Sequence, residues 1–219
     1  MFMNETSTRK IYNIWSHFYD KLASNLVLRR HRLAVPRMNI QSGQRVLDVG
    51  IGTGLSLESY PKSAHVVGVD ICEGMLRHAI RRAEESKLAS ANICVADALE
   101  LPFEQGSFDH VFISHVITVV SNPVKLIEEI RRVAKPGGRI VIINHFQSGN
   151  RVIGAFEKWL CPLFVKIGFK SDLSLEKLIQ DTGVQVDFRY KLDQVDFWET
   201  VFITNEGSPS TQVGALAVA

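Results

Sequence analysis

Apolar and polar positions change their period several times along the chain, and each change marks an element. Between residues 5 and 30, Ile11, Ile14, Trp15, Phe18, Leu22 and Leu26 recur three or four apart. With Thr6, Ser7 or Thr8 free to cap it, this spacing predicts an amphipathic helix. Beyond Pro36, short β-branched runs take over at Arg45–Val49, His65–Asp70, Asn92–Ala96, Phe108–Ser114 and Arg139–Asn144. Helical patterns over Glu73–Leu88 and Val124–Ala134 separate them, the second stopped by Lys135-Pro136-Gly137-Gly138. Residues 150–183 break the rhythm with a longer, mostly helical stretch, and strands at Gln185–Lys191 and Val201–Asn205 close the pattern. Near-continuous apolar strands alternating with helices predict an α/β fold, a Rossmann-like parallel sheet with helices on both faces. The expected organisation is a leading segment 1–40, a domain 41–206 carrying the insert 150–183, and a flexible tail 207–219.

Composition narrows the class. A chain of 219 residues, 46% hydrophobic and 22% charged, suits one domain with a real core and excludes a disordered, collagen-like or coiled-coil protein. Cys72, Cys94 and Cys161 are too few and too far apart for a disulfide framework or a paired-cysteine metal site, so no metal is expected. No apolar run is long enough to cross a bilayer, and MFMNETSTRK lacks a signal-peptide core. The expectation is a soluble, cytoplasmic protein.

The net charge of +2 is unevenly spread. Residues 1–40 hold Arg9, Lys10, Lys21, Arg29, Arg30, Arg32 and Arg37 against Glu5 and Asp20, seven basic to two acidic, so +5 sits there and −3 on the remainder. Such an arm suits an anionic surface, or is simply a solvated helix face. No basic groove accompanies the aromatic residues, so nucleic acid is not expected as a partner.

The richest segment is Val46-Leu47-Asp48-Val49-Gly50-Ile51-Gly52-Thr53-Gly54. Glycines there allow a sharp strand-to-helix turn and close approach of a ligand to the backbone. The spacing is GxGxG rather than GxGxxG, and Asp48 precedes the first glycine by two residues. A carboxylate there repels a pyrophosphate but suits a ligand bearing an ammonium group. Asp70 ends the second strand, where an acid can accept from ribose hydroxyls. Asp97 follows the third, where it can accept from an adenine amino group beside the backbone N–H of Ala98. Singly, each acid reads equally well as a helix cap. Together they mark the carboxyl ends of neighbouring strands, where open α/β sheets bind ligands.

VLDVGIGTG, VVGVDICEGML, ADALELPFEQGSFD and RVAKPGGRIVI, spanning Arg45 to Asn144, resemble the class I S-adenosylmethionine-dependent methyltransferases. The resemblance implies a seven-stranded mixed sheet whose last strand is antiparallel. It places Gly50, Gly52 and Gly54 around the methionine portion of S-adenosyl-L-methionine, Asp70 at the ribose, Ile71 and Met75 along the adenine and Asp97 at its amino group. Ser114 joins this cofactor-binding set. Tyr12…Phe18-Tyr19-Asp20 is similar to the helix that closes over the cofactor as a lid in these enzymes. S-adenosyl-L-homocysteine is then the product.

Within this group, RKIYNIWSHFYDKL, FISHVITVVSNP, INHF and the helical insert are most similar to the small bacterial phosphatidylethanolamine N-methyltransferases. That implies successive methylations towards phosphatidylcholine. Transfer to nitrogen needs a neutral amine, and removing a proton from an ammonium of pKa near 10.4 costs roughly 4–5 kcal/mol at pH 7. Tyr and His can hold an amine and take its proton, and aromatic faces can stabilise the cationic product. Tyr19 and His115 are the catalytic candidates, the histidine following the fourth strand. Tyr12, His145, Arg189 and Tyr190 are the substrate-binding candidates, the last two as a grip on the lipid phosphate. The apolar side of Arg151–Phe169 and the basic arm suit peripheral contact with an anionic membrane. Open alternatives are a quinone-ring C- or O-methyltransferase, a nicotinamide-dependent oxidoreductase and a noncatalytic lipid-binding protein. Oligomeric state is not legible.

Overall fold

A computed structural model of the protein describes residues 24–146, 173–193, 196 and 198–207. Helix α1 (Ser24–Ala34) runs into a 3-10 turn (Val35–Met38) and leads to strand β1 (Arg45–Val49). A second 3-10 turn (Leu55–Ser59), β2 (His65–Asp70), α2 (Glu73–Glu85), β3 (Ser90–Val95) and β4 (Phe108–Ser114) follow. Then come α3 (Pro123–Val133), β5 (Ala134–His145), α4 (Leu175–Thr182), β6 (Val186–Tyr190) and β7 (Trp198–Thr204).

The strands form one seven-stranded sheet in the order β3-β2-β1-β4-β5-β7-β6. β1 to β5 pair in parallel, and β7 runs antiparallel to both β5 and β6. The expected Rossmann-like mixed sheet with its antiparallel last strand is therefore present. The chain steps outward from β1 to β3 and then returns to place β4 beside β1. That reversal opens a crevice at the carboxyl ends of β1 and β4, the place where such sheets take ligands.

One core lies on each face. α3 and α4 cover Leu47, Val49, Val111, Ile113, Ile140 and Ile142 on one side. On the other, the 3-10 turns and α2 cover Val46, Val66, Phe112, Val141 and Phe202. α3 shows why its residues form a helix: Asn122 caps it by accepting from Lys125 N–H, and Pro123 opens the first turn. Leu126, Ile127, Ile130 and Val133 repeat on one buried stripe, each contributing roughly 1.5–3 kcal/mol by leaving water.

Several boundaries differ from the pattern, among them α1, which runs to Ala34 rather than residue 30, and β3, which spans Ser90–Val95 rather than Asn92–Ala96. α2 stops at Glu85 rather than Leu88, and β7 begins at Trp198 rather than Val201. β5 starts at Ala134, straight after α3, instead of at Arg139. The two glycines that read as a stop form an irregularity inside the strand. Gly137 takes φ +78°, and a Cβ on Gly138 would lie 2.4 Å from the Asp109 carbonyl oxygen. Only glycine lets the strand pass that close.

Tyr12, Tyr19, Cys161, the tail beyond Gly207 and most of the insert lie outside the described residues. Among the described residues no helix is long and apolar enough to cross a membrane.

Candidate active site

The three loop glycines have different tasks. Gly50 (φ +68°) lets the Val116 side chain press against the loop, for a Cβ there would sit 2.1 Å from Val116 Cγ2. Gly54 (φ +83°) lets the loop settle on Ala79 of α2, whose Cα would be 3.0 Å from an added Cβ. Gly52 (φ +57°) faces more open ground, with Met75 Sδ 3.6 Å from where its Cβ would lie. The first and last hold the loop in place; the middle one leaves the backbone bare.

Asp70, at the tip of β2, stitches two turns together. Its Oδ2 accepts from Gly52 N–H (3.0 Å) and its Oδ1 from Cys72 N–H (2.8 Å). Burial raises its pKa from the ordinary value despite those donors. Ile71 beside it is 36% exposed, an apolar shelf next to the carboxylate. Asp97 lies exposed beyond β3, where its Oδ1 accepts from Leu99 N–H (2.8 Å), and Ala98 beside it is half-buried.

Asp48 is placed differently from its neighbours. It points from β1 into the core under the second 3-10 turn, only 1% exposed. Its Oδ2 accepts from Ser56 Oγ (2.5 Å) and Tyr60 OH (2.8 Å). Burial pushes its pKa up to about 7, against the pull of those two hydroxyls and with a further push from Asp70. Ser56 and Tyr60 were not expected in this role. Their signal was their position eight and twelve residues beyond a buried acid.

Helix α1 supplies a second set of buried polar residues. Arg30 and His31 are 5% and 4% exposed. His31 Nε2 meets Ser114 Oγ at 2.9 Å, and its ring stands edge-on to Phe112. Arg30 gives Nη1–H to the Leu26 carbonyl (3.0 Å) and Nη2–H to Asp196 Oδ1 (2.5 Å), while its guanidinium lies 4.4 Å from the centre of the Trp198 ring. This corrects the reading of Arg30 as part of a solvent-facing basic arm: it is a buried ion pair. The positions were legible, since Arg30 and His31 fall on the stripe set by Val27, Ala34 and Val35.

His115 follows β4 with φ +62°, a backbone state rare outside glycine, its N–H given to the Ile143 carbonyl (2.8 Å). Its ring stands edge-on to Trp198 at 5.8 Å, and its buried Nε2 has no hydrogen-bond partner among the described residues. Burial, then electrostatic repulsion from Arg30 and His145, lower its pKa to about 4. Burial also lowers His31 to about 3, helped by His115 and Arg30. Both imidazoles are neutral at pH 7. His145 ends β5 opposite Trp198 in register.

Arg189 and Tyr190 are not brought together. Successive strand residues face opposite sides of a sheet. Arg189 turns towards Glu176 of α4 (3.1 Å) and Glu199 (3.3 Å), whereas Tyr190 stacks with Phe202 on the other face under the Arg37 guanidinium. A joint grip on one phosphate is excluded by this alternation.

Bare backbone at Gly52, the acceptor at Asp70, the apolar pair Ile71 and Met75 and the exposed acid Asp97 together suit an adenosyl cofactor: apolar surface for the base and carboxylates for hydroxyl and amino hydrogens. Among the described residues no three His, Cys, Asp or Glu side chains gather as a metal site.

A methyltransferase-domain family profile matches residues 47–142. The chain is 32% identical over 185 residues to a phosphatidylethanolamine N-methyltransferase of Cereibacter sphaeroides, covering 84% of this chain and 90% of that one. It is 30% identical over 184 residues to a demethylmenaquinone methyltransferase of Listeria welshimeri, covering 77% and 78%. The crystal structure of an S-adenosylmethionine-dependent methyltransferase from Aquifex aeolicus shares the fold, with a TM-score of 0.66 at 18% identity over 87% of this chain and 97% of that one. With its matching sheet and glycine loop, the chain belongs to the class I S-adenosylmethionine-dependent methyltransferases.

Proposed function

We propose that this methyltransferase acts on the amine of phosphatidylethanolamine and its partly methylated forms, at the surface of a membrane. The observation that carries this reading is the likeness to the Cereibacter sphaeroides phosphatidylethanolamine N-methyltransferase, which reaches 90% of that protein and so extends well beyond the cofactor-binding half. The unpartnered, neutral Nε2 of His115 fits it.

When bound, S-adenosyl-L-methionine supplies an activated methyl group on a sulfonium. Gly52 and Asp70 would hold it through backbone approach and carboxylate, Ile71 and Met75 would flank its base, Asp97 and Ala98 would serve its amino edge, and Asp48, buried beneath the loop, would act on its positive end through its charge rather than by contact. The acceptor nitrogen attacks only with its lone pair free. With its proton on Nδ1, neutral His115 offers Nε2 as the acceptor for an N–H of the amine and leaves the lone pair aligned. Tyr19 is assigned to assist from the leading segment, and Tyr12 and His145 to line the acceptor side.

The experiment is incubation of the protein with labelled cofactor and vesicles holding phosphatidylethanolamine or a demethylmenaquinol, followed by chromatography. Labelled mono-, di- and trimethylated phospholipid is the expected result. Label in the quinone alone supports the second reading, ring C-methylation, which the 30% identity to the Listeria welshimeri protein favours.

Membrane contact is assigned to the exposed residues of α1. Leu26 is 45% exposed, and Arg29 and Arg32 share its solvent side. Basic residues there each add roughly 1 kcal/mol of attraction to an anionic leaflet.

A further inference from the structure

On and around a single indole, three buried polar atoms have no hydrogen-bond partner among the described residues. Arg30 Nε lies in the guanidinium over its face, His115 Nε2 lies in the ring at its edge, and Trp198 Nε1 belongs to the indole itself. Buried polar groups are nearly always paired, because a lost hydrogen bond in a dry site costs the full desolvation of the group. Three orphans around one ring, beyond the carboxyl ends of β4 and β5, mark a place built for a ligand. Two of them, Arg30 Nε–H and Trp198 Nε1–H, can only donate. The third can accept.

The donors are held firmly. Asp196 accepts from Leu192 N–H (3.0 Å), Trp198 N–H (3.0 Å) and Arg30 Nη2–H, so one carboxylate fixes the backbone at Trp198 and the guanidinium above it. The Arg30 and Asp196 charges offset one another, yet the unused Nε–H still asks for an oxygen.

Resting on the phospholipid reading above, we propose that Arg30 Nε–H and Trp198 Nε1–H are paired donors to a phosphoryl oxygen of the acceptor, while His115 Nε2 receives an N–H of the amine two carbons beyond the phosphate ester. Asp196 is a positioning residue for the pair. This arrangement selects a headgroup that carries an anionic oxygen and an amine together.

The test uses the full chain saturated with S-adenosyl-L-homocysteine and glycerophosphoethanolamine as the probe, followed by 31P NMR titration. Trp198→Phe keeps the ring face for Arg30 and removes only the N–H. It is expected to weaken headgroup binding by about tenfold or more, with S-adenosyl-L-homocysteine affinity by calorimetry unchanged within twofold. Arg30→Lys, which keeps the charge without the Nε–H, is expected to do the same. Unchanged headgroup affinity in Trp198→Phe overturns the donor pair while leaving phospholipid methylation standing. An equal loss of both affinities makes the indole merely structural and overturns it too. A wild-type protein that neither binds the headgroup nor methylates phosphatidylethanolamine removes the functional reading and this proposal with it.

Discussion

Gly50 and Val116 are in such close register that a single added carbon on the glycine would lie 2.1 Å from the valine Cγ2. The loop after β1 and the turn after β4 are thereby locked side by side, which fixes the glycine loop relative to His115. Gly50→Ala is expected to cost roughly 2–4 kcal/mol, from left-handed backbone strain plus overpacking. Thermal unfolding measures it, and the overpacking share returns in a Val116→Ala background. Gly52→Ala meets no such wall, its Cβ reaching Met75 Sδ at 3.6 Å and the Gly50 carbonyl oxygen at 3.9 Å, both ordinary contacts. Its stability cost is expected to be about 1–2 kcal/mol of strain, while S-adenosyl-L-methionine affinity falls at least tenfold in calorimetry.

Asp48 gives stability a pH dependence of unusual sign. Its folded pKa of about 7 lies above the ordinary 3.8, because burial outweighs the Ser56 and Tyr60 hydroxyls. The folded protein therefore holds a proton that the unfolded chain releases, and the contribution is full below pH 4 and lost as pH rises through 7. Asp48→Asn is expected to flatten that part of the profile in denaturant titrations between pH 5 and 8. A cationic ligand end near Asp48 favours its charged form, so cofactor binding at pH 6 should release up to one proton. Calorimetry in buffers of different ionisation enthalpy reads this directly, and no proton release would place the ammonium elsewhere.

The sheet was legible because its strands are buried on both faces and bounded by turns. β1, β2 and β4 match their apolar runs to the residue. The start of β5 is not legible, because Gly137 and Gly138 punctuate a sequence whether they end a strand or let it pass a carbonyl. The acids at strand tips were legible as a group, but not where each points. Asp48 lies one residue inside β1 and is covered by Ser56 and Tyr60, whereas Asp70 ends β2 and accepts from the backbone of Gly52 and Cys72. Arg189 and Tyr190, adjacent in sequence, were read as partners when strand alternation sends them to opposite faces. The burial of Arg30 is legible in the α1 stripe, but its ion pair is not, because Asp196 lies 166 residues away.

His115 should act as a neutral group throughout the working range. With its pKa near 4, the pH–rate profile is expected to show no inflection near 6.5 and to climb as the acceptor amine loses its proton. His115→Asn is the informative variant, since asparagine tolerates the left-handed backbone that this position requires. It is expected to lower kcat by about 10- to 100-fold, the worth of a hydrogen bond made at the reacting nitrogen. S-adenosyl-L-methionine affinity should stay within twofold. A fall in thermal stability without a change in kcat would make His115 a turn residue only.

The basic residues of α1 divide into two kinds, and the division is testable. Arg29 is exposed, and Arg32 is 62% exposed in a 3.4 Å pair with Glu58, a surface contact of little energetic weight. Replacing both with glutamine should weaken sedimentation with phosphatidylglycerol vesicles by roughly tenfold or more at low salt, without moving the unfolding midpoint. Arg30 should behave in the opposite way. Arg30→Gln strands the Asp196 carboxylate, whose side chain is 2% exposed, with one charged partner removed. The expected loss is about 3–5 kcal/mol of stability, the usual cost of breaking a buried pair from one side. Asp196 is held below the ordinary carboxylate range because the Leu192, Trp198 and Arg30 donors together outweigh its burial. Its contribution is thus present above pH 4 and lost as pH falls through that lower value, so Arg30→Gln should narrow the stability gap to wild type in strong acid. Equal effects of all three arginines on vesicle binding would instead mean that α1 leaves its seat on the sheet when it meets a membrane.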